Sequence, residues 1–343
     1  MGSVPNPRVL AEVLRSGNFR ARLRASREGL TGVRLQLIAT ALELGLLDAL
    51  GEGPASTEEL AGRLGGSDQE LLGAYLRVLA AAGLITGESS WRLTSFGAAV
   101  VDDDVVRATY EGFGGYHTEL YRDLPALLRG GPGRRDTVEQ GEVIARLSAA
   151  IYPLIRDALV RTVKKRRPRR VLDIGCGAGL YLAAMLEAAP AATGIGVDAD
   201  PDAAALARRT LNERGLADRA GVEAVDIHEF LGTGRAGALT DGIDLALLAN
   251  VIYYVPVDER VELLRALARL LAPGGALVVV TTVAGPQLFS RHLDLVLRAQ
   301  EGRMELPAVD VLLDQLREAG LQPDRPEQIG PPKAALSTVT AIR

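Results

Sequence analysis

The sequence contains few of the residues that build disulfides, metal centres and membrane spans. Its 343 residues include one cysteine and three histidines. One cysteine cannot form an internal disulfide, so we expect a reducing, cytoplasmic environment. Three isolated histidines without a paired spacing predict no metal site. No apolar run approaches the ~20 residues that a membrane helix requires, and the first residues lack the pattern of a signal peptide, so we expect no membrane partner.

The sequence also lacks an excess of charge of either sign. Its 39 Lys and Arg residues face 43 Asp and Glu residues, which gives a net charge of −4. This balance creates no overall attraction to nucleic acid, so we expect none as a partner. The dense basic stretch at residues 164–170 is interpreted as a solvated linker, with contact to RNA or an acidic partner as the alternative. The length allows two domains, each with its own core.

The most informative segment is VLDIGCGAG, at residues 171–179. Four residues typical of a buried strand lead into a turn with glycine at 175, 177 and 179, and a helical pattern follows from Leu180. Glycines let the backbone bend tightly and approach a ligand, while the helix start directs free N–H groups towards it. The segment predicts a nucleotide-type cofactor loop at the carboxyl end of a parallel strand, with a plain strand–helix turn as the alternative.

Strands and helices alternate through the rest of this half of the chain. A second strand ends at Asp198, nineteen residues after Gly179, where a carboxylate can accept hydrogen bonds from ribose hydroxyls. The dinucleotide fingerprint G-x-G-x-x-G is not matched, because its sixth position is Leu180. The alternation predicts an α/β fold with a doubly wound, mostly parallel sheet. The predicted strands are 171–174, 194–197, 222–225, 244–248 and 276–280.

Residues 166–343 resemble the class I S-adenosylmethionine-dependent methyltransferases. The motifs that carry the resemblance are VLDIGCGAG, GVDAD, VDI, DLALLANVIYY and LLAPGG. The resemblance implies a Rossmann-like domain that binds S-adenosyl-L-methionine. For Asp226 and Asn250, a structural role in capping a strand end is the alternative. The implied cofactor-binding residues are Asp173, with Gly175, Gly177 and Gly179 along the methionine part, Asp198 at the ribose, Asp226 at the adenine amino group, Ile227 on the adenine face, and Asn250 facing the sulfonium.

The first hundred residues predict three helices followed by a hairpin, which together form a winged helix-turn-helix. Ser56 and Glu59 have capping-box spacing, and Ser67 is expected to cap the third helix. A DNA-recognition helix needs basic and amide side chains near its start, but this one begins Asp68-Gln69-Glu70, which argues against DNA contact.

The predicted winged helix resembles the N-terminal domain of the two-domain small-molecule O-methyltransferases. In that family the domain pairs subunits, so the resemblance implies a homodimer. We therefore expect a winged-helix dimerisation domain at 1–104, a helical linker or cap over the acceptor pocket at 105–165, and the S-adenosylmethionine-binding catalytic domain at 166–343. Within the cap, Pro153 is expected to kink a helix.

The catalytic residues are harder to assign. The family usually supplies a histidine just after the fourth strand, and this chain has Tyr253 there. A tyrosine with a pKa near ~10 is a poor base at neutral pH, so His117 and His292 join Tyr253 as candidates, with packing as the alternative for both histidines. The expected reaction is methyl transfer to a small, fairly apolar metabolite at oxygen. A carbon or nitrogen acceptor, or cofactor binding without methyl transfer, is the alternative.

Overall fold

The computed structural model describes residues 8, 12, 15, 17–232, 242–302, 304–331 and 334–343. The chain divides into two compact units. One comprises Met1–Arg122 with Glu142–Leu147, and the other comprises Asp123–Gly141 with Ser148–Arg343. No helix in the described ranges is long and apolar enough to cross a membrane.

The first unit consists of helices and one short hairpin. The predicted capping box is confirmed, because the Ser56 hydroxyl accepts a hydrogen bond from the Glu59 N–H and the Glu59 carboxylate accepts one from the Ser56 N–H. The N-terminal elements are α1 (Phe19–Glu43), α2 (Leu46–Gly51), α3 (Thr57–Arg63), α4 (Gln69–Ala81), β1 (Ile85–Thr86), β2 (Arg92–Leu93), α5 (Ser95–Asp102), α6 (Asp104–Gly114) and α7 (Tyr116–Leu127).

The predicted cap of α4 is wrong by one residue. Asp68, not Ser67, precedes the helix, and its carboxylate accepts hydrogen bonds from the N–H groups of Glu70 and Leu71. The Ser67 hydroxyl instead donates backwards to the carbonyl of Leu64. The carboxylate has the reach to satisfy two of the unpaired N–H groups in the first turn.

The helix expected to kink at Pro153 is broken into two just before this proline. The helix is interrupted by a 3-10 turn at Ala149–Ile151, and Pro153 lies in the first turn of the next helix. Proline is favoured there because its missing N–H has no partner to lose in the first turn. The elements of this region are α8 (Asp136–Glu139), α9 (Gly141–Ser148) and α10 (Tyr152–Arg166).

A single eight-stranded sheet forms the centre of the second unit. Its strands are β3 (Arg170–Ile174), β4 (Thr193–Asp198), β5 (Ala220–Ala224), β6 (Ile243–Ala249), β7 (Leu271–Thr282), β8 (Gln322–Pro323), β9 (Glu327–Gln328) and β10 (Leu336–Ile342). Their order in the sheet is β5-β4-β3-β6-β7-β10-β8, with β9 also pairing with β10.

The predicted fold class is confirmed by this sheet. The pairs formed among β3 to β7 are parallel, whereas β10 runs antiparallel to β7. Helices follow the strands in alternation, as expected for a doubly wound Rossmann-like fold. They are α11 (Leu180–Ala188), α12 (Pro201–Glu213), α13 (Ile227–Gly232), α14 (Arg260–Leu270), α15 (Leu288–Arg298) and α16 (Val309–Glu318).

Both sides of the sheet are buried, which explains the near-continuous apolar character of its strands. Along β3, Leu172 and Ile174 belong to one apolar cluster and Val171 belongs to the other. The side-chain period of two therefore directs Asp173 towards the same side as Val171, at the carboxyl end of the strand.

Candidate cofactor and acceptor site

The glycine loop connects β3 to α11 and adopts a backbone that only glycine takes up easily. Gly175, Gly177 and Gly179 have φ values of 67°, 51° and 74°. A Cβ at Gly175 would lie 2.5 Å from Val251 Cγ2, and one at Gly179 would lie 3.0 Å from Ala207 Cβ. A Cβ at Gly177 would have no heavy atom within 4 Å. The loop is therefore packed at its two ends and open in the middle, where a ligand can approach the backbone.

Asp173 lies just before this loop and is completely buried. The Leu182 backbone N–H approaches the carboxylate and favours its ionised form, but neither oxygen accepts a full hydrogen bond within the described part of the chain. Burial, together with the nearby charge of Asp198, raises the pKa of the Asp173 carboxyl to about 7. An unpaired buried carboxylate is costly, so this position fits a ligand that brings hydrogen-bond donors and positive charge.

Asp198 ends β4 and is tied to the same loop. Its carboxylate accepts hydrogen bonds from the N–H of Gly177, at 2.8 Å, and from the N–H of Asp200, at 3.0 Å. A carboxylate has about four acceptor positions, so two hydrogen bonds leave it able to accept more. Asp198 is thereby oriented beside the open part of the loop.

Asp226 and Ile227 follow β5, one strand further along the sheet. Val225 N–H donates to the Asp198 carbonyl at 2.8 Å, which places this segment next to the end of β4. The exposed Asp226 accepts a hydrogen bond from the N–H of His228, so it also caps the start of α13. Ile227 is half-buried against the core. Asp226 thus has a structural role at the start of a helix, not the strand-end cap given as the alternative, and its role towards adenine stays a prediction.

Asn250 follows β6 in a left-handed conformation, with a φ of 57°. Its N–H donates to the Val280 carbonyl at 2.8 Å, whereas its buried side-chain Oδ1 has no partner among the described residues. The next residue, Val251, packs against Gly175. The end of β6 is thus pressed against the glycine loop, a contact that nothing in the sequence pattern around Val251 indicated.

The structure therefore brings Asp173, the glycine loop, Asp198 and Asn250 to one edge of the sheet. They lie at the carboxyl ends of β3, β4 and β6, which are adjacent parallel strands. Ligands of open α/β sheets bind outside the carboxyl ends of the strands, and this edge is such a place. The open loop and the unpaired carboxylate of Asp173 fit a nucleoside cofactor that carries an ammonium group.

Tyr253 lies in a short 3-10 turn, Ile252–Tyr254, directly after Asn250 and Val251. It is 6% exposed and packs in an apolar cluster with Leu297 and Leu306. Its ring meets that of Tyr254 edge to face, with the centroids 4.6 Å apart. Burial raises the pKa of Tyr254 above its ordinary value, so the Tyr254 hydroxyl keeps its proton at neutral pH.

The two candidate histidines belong to different units. His117 is a buried residue of the first unit, and its ring stacks on Phe113 and Tyr116 at 4.5 and 4.3 Å between centroids. His292 lies half-buried on α15 of the second unit, where burial lowers its pKa and keeps the imidazole neutral at pH 7. Their catalytic roles stay predictions. Over the described ranges, no group of three or more His, Cys, Asp and Glu residues could hold a metal ion.

Comparison with known proteins gives consistent results. A family described as "Methyltransferase domain" matches residues 172–277. The demethylspheroidene O-methyltransferase of Cereibacter sphaeroides is 30% identical over 267 residues, which are 72% of this chain and 67% of that protein. The mitomycin biosynthesis 6-O-methyltransferase of Streptomyces lavendulae is 26% identical over 293 residues, covering 79% of this chain and 81% of that protein.

Solved structures show the same fold. The mitomycin 7-O-methyltransferase MmcR superposes with a TM-score of 0.74 at 23% identity, covering 94% of this chain and 99% of that one. The O-methyltransferase NcsB1, solved with S-adenosyl-L-homocysteine and 1,4-dihydroxy-2-naphthoic acid, has a TM-score of 0.64 at 23% identity and covers 90% and 95% of the two chains. The chain therefore belongs to the class I S-adenosylmethionine-dependent methyltransferases, and its cofactor is S-adenosyl-L-methionine.

Proposed function

We propose that this protein transfers the methyl group of S-adenosyl-L-methionine to an oxygen atom of a small, fairly apolar metabolite. The observation that carries the proposal is the contact between the glycine loop, which we assign to the cofactor, and the turn after β6, which we assign to the acceptor. The turn after β6 touches the glycine loop through Val251 and, two residues later, buries Tyr253 in an apolar cluster. The relatives named as O-methyltransferases support oxygen as the acceptor atom.

In this proposal the chain contributes mainly binding and orientation. The bound cofactor supplies an electrophilic methyl group on its sulfonium. Asp173 and the glycine loop hold its methionine part, Asp198 accepts from the ribose hydroxyls, Asp226 and Ile227 contact the adenine, and Asn250 faces the sulfonium. Holding donor and acceptor in line can supply a large part of the rate enhancement.

The candidate catalytic residues differ in whether they can accept the proton of the acceptor hydroxyl. Tyr253 is proposed to orient the acceptor hydroxyl from the apolar cluster. A base must be neutral to accept a proton, and the lowered pKa of His292 satisfies that condition at pH 7. His117 of the first unit is the other candidate. Because Tyr253 stands at the position where the family usually has a histidine, methyl transfer to carbon or nitrogen is the second candidate function.

The test begins with calorimetric titration of the protein with S-adenosyl-L-methionine and S-adenosyl-L-homocysteine. We expect micromolar binding that is lost in Asp198→Ala and kept in Asp200→Ala, a matched control two residues away whose carboxylate accepts from the N–H of Asp202. Methyl transfer to a panel of hydroxy-, amino- and carbon-nucleophile aromatics, starting with 1,4-dihydroxy-2-naphthoic acid, follows. Cofactor binding without any transfer would favour a regulator or repurposed scaffold.

We further propose a cytoplasmic homodimer that pairs through a winged-helix domain at 1–104, with 105–165 as a cap over the acceptor pocket. The exposed side chains of Leu23, Leu30 and Val33 along α1 support a subunit contact. The acidic start of α4 supports the absence of a nucleic-acid partner, because Asp68 and Glu70 would repel phosphates.

A further inference from the structure

Arg260, at the start of α14, is completely buried, which is rare for an arginine. Within the described part of the chain, no carboxylate oxygen forms an ion pair with it. Its Nε donates to the carbonyl of Val255 at 3.1 Å, and its Nη2 donates to the carbonyl of Glu305 at 2.6 Å. Burial lowers the pKa of Arg260 and outweighs the electrostatic attraction of the Glu305 carboxylate for the guanidinium, so the buried charge is costly.

The two carbonyls belong to segments that are far apart in sequence. Val255 directly follows the 3-10 turn that contains Tyr253, and Glu305 lies between Met304 and Leu306. Tyr253 and Leu306 pack in the same apolar cluster, with Met304 against it. The planar guanidinium donates in two directions at once, so it fixes the distance between these two segments.

The segment around Glu305 is also held from its other side. The Glu305 carboxylate accepts from Arg298 of α15 at 2.6 Å, and Asp294 of the same helix accepts from the Leu306 N–H at 3.0 Å. Arg298 in turn pairs with Asp294 at 2.9 Å. Residues 304–306 are thereby anchored to α15, and Arg260 is the link from this anchor to the turn after β6.

We propose that Arg260 is a positioning residue for methyl transfer. Its buried guanidinium holds the turn that contains Tyr253 against residues 304–306 and so sets the wall of the acceptor site. This inference rests on the proposed function for its catalytic consequence, whereas the tether between the two segments can be tested without any acceptor.

The first experiment measures amide hydrogen exchange of the full chain saturated with S-adenosyl-L-homocysteine. Arg260→Met keeps a long side chain but removes both hydrogen bonds, and Arg260→Lys keeps a cation that cannot span both carbonyls. We expect exchange in residues 252–257 and 304–308 to accelerate about tenfold or more in the Met variant and less in the Lys variant, with residues 170–180 unchanged. Arg265→Met, on the same helix, is the matched control and should leave all three segments unchanged.

The second experiment compares steady-state methyl transfer with the acceptor that the panel above identifies. Arg260→Met should raise the acceptor KM and lower kcat about tenfold while S-adenosyl-L-homocysteine affinity stays within about twofold, and Arg260→Lys should restore part of the rate. If residues 252–257 and 304–308 exchanged as slowly in a folded Arg260→Met or Arg260→Lys variant as in the wild type, the proposal that Arg260 holds these segments together would be wrong. A parallel loss of cofactor affinity and melting temperature would reduce Arg260 to a structural residue. If the wild type transferred methyl to no acceptor but the Arg260 variants exchanged faster than the wild type, the result would contradict the proposed function and leave the role of Arg260 in holding the two segments together unaffected.

Discussion

Asp173 is the second-last residue of β3, and neither of its buried carboxylate oxygens accepts a full hydrogen bond from the residues that the structure describes. Natural proteins seldom leave a buried carboxylate without donors, and exceptions are found where a ligand supplies them. Because burial raises the pKa of the Asp173 carboxyl to about 7, the charge of this side chain changes with pH in the neutral range.

We predict that S-adenosyl-L-homocysteine binding releases protons near pH 6. The bound ammonium group favours the ionised carboxylate, so the pKa of Asp173 falls on binding and affinity rises as pH increases from about 5 to 7. Calorimetry in two buffers of different ionisation enthalpy measures the released protons. Asp173→Asn should remove both the proton release and the pH dependence, and a wild type without proton release would contradict this assignment.

The same pKa makes the cofactor-free protein less stable as pH rises. The folded state holds the Asp173 proton up to about pH 7, whereas the unfolded chain loses it near ~4. Between these values the folded state binds more protons than the unfolded state, so this carboxyl's contribution to the free energy of unfolding decreases with pH. Thermal melts of wild type and Asp173→Asn between pH 5 and 8 compare the two slopes, and equal slopes would contradict the raised pKa.

Tyr253 gives a second prediction at the residue scale. If its hydroxyl orients the acceptor, Tyr253→Phe should lower the rate of methyl transfer about 10- to 100-fold, the cost of one or two hydrogen bonds. Affinity for S-adenosyl-L-homocysteine should not change. Tyr254→Phe removes the hydroxyl that is hydrogen-bonded to Tyr253, so it tests whether this pair, and not Tyr253 alone, orients the acceptor. Full activity in Tyr253→Phe would leave Tyr253 as an apolar wall of the site.

At the scale of elements, the strands are held in place by side chains that bond to neighbouring backbone. The Asp244 carboxylate accepts from the N–H groups of Arg169 and Arg170, which fixes β6 beside β3. Arg219 performs a similar function for α11, the helix that follows the glycine loop. Its guanidinium donates to the carbonyl of Leu186 in the last turn of the helix and to the carbonyls of Ala189 and Ala192 in the segment that follows it.

We predict that Arg219→Met lowers the free energy of unfolding by about 2 kcal/mol, because hydrogen bonds from a charged donor are lost at a helix end. Thermal and urea denaturation measure the change. Arg209→Met, an exposed arginine on α12, is the matched control and should change stability little. Equal stability of the two variants would show that water replaces the Arg219 contacts at no cost.

At the scale of the whole molecule, α1 exposes several large apolar side chains among the described residues. Leu30 is 70% exposed, and Leu23 and Val33 are also exposed on this helix. Apolar side chains repeated along one helix favour a subunit contact when they are not part of the core.

Leu30→Glu should therefore convert the proposed dimer to a monomer, because an isologous contact places both introduced charges near the dimer axis. Light scattering coupled to size exclusion measures the mass, and Ala21→Glu, at an exposed position of the same helix, controls for the single added negative charge. A dimeric Leu30→Glu protein would place the contact elsewhere, and a monomeric wild type would contradict the homodimer.

The sequence by itself determined the parallel core of the sheet, because alternating strands and helices leave few other arrangements for runs as apolar as 171–174 and 244–248. It also determined the glycine loop and Asp198, since φ values above zero favour glycine and an acidic residue ending the next strand meets that loop. It did not indicate that β10 inserts antiparallel beside β7, because that pairing depends on contacts between distant segments.

Only the tertiary structure decided which polar residues are buried away from solvent. Asp173 is followed by glycines and Arg260 by an ordinary amphipathic helix, and neither pattern indicates complete burial. Asp173 lies on the side of β3 that α11 and α10 cover, and Arg260 is covered in part by residues 304–306, which are distant from it in sequence. Local sequence sets backbone conformation and periodicity, whereas desolvation, and with it the shifted pKa of Asp173 and the costly burial of Arg260, arises only when the whole unit closes.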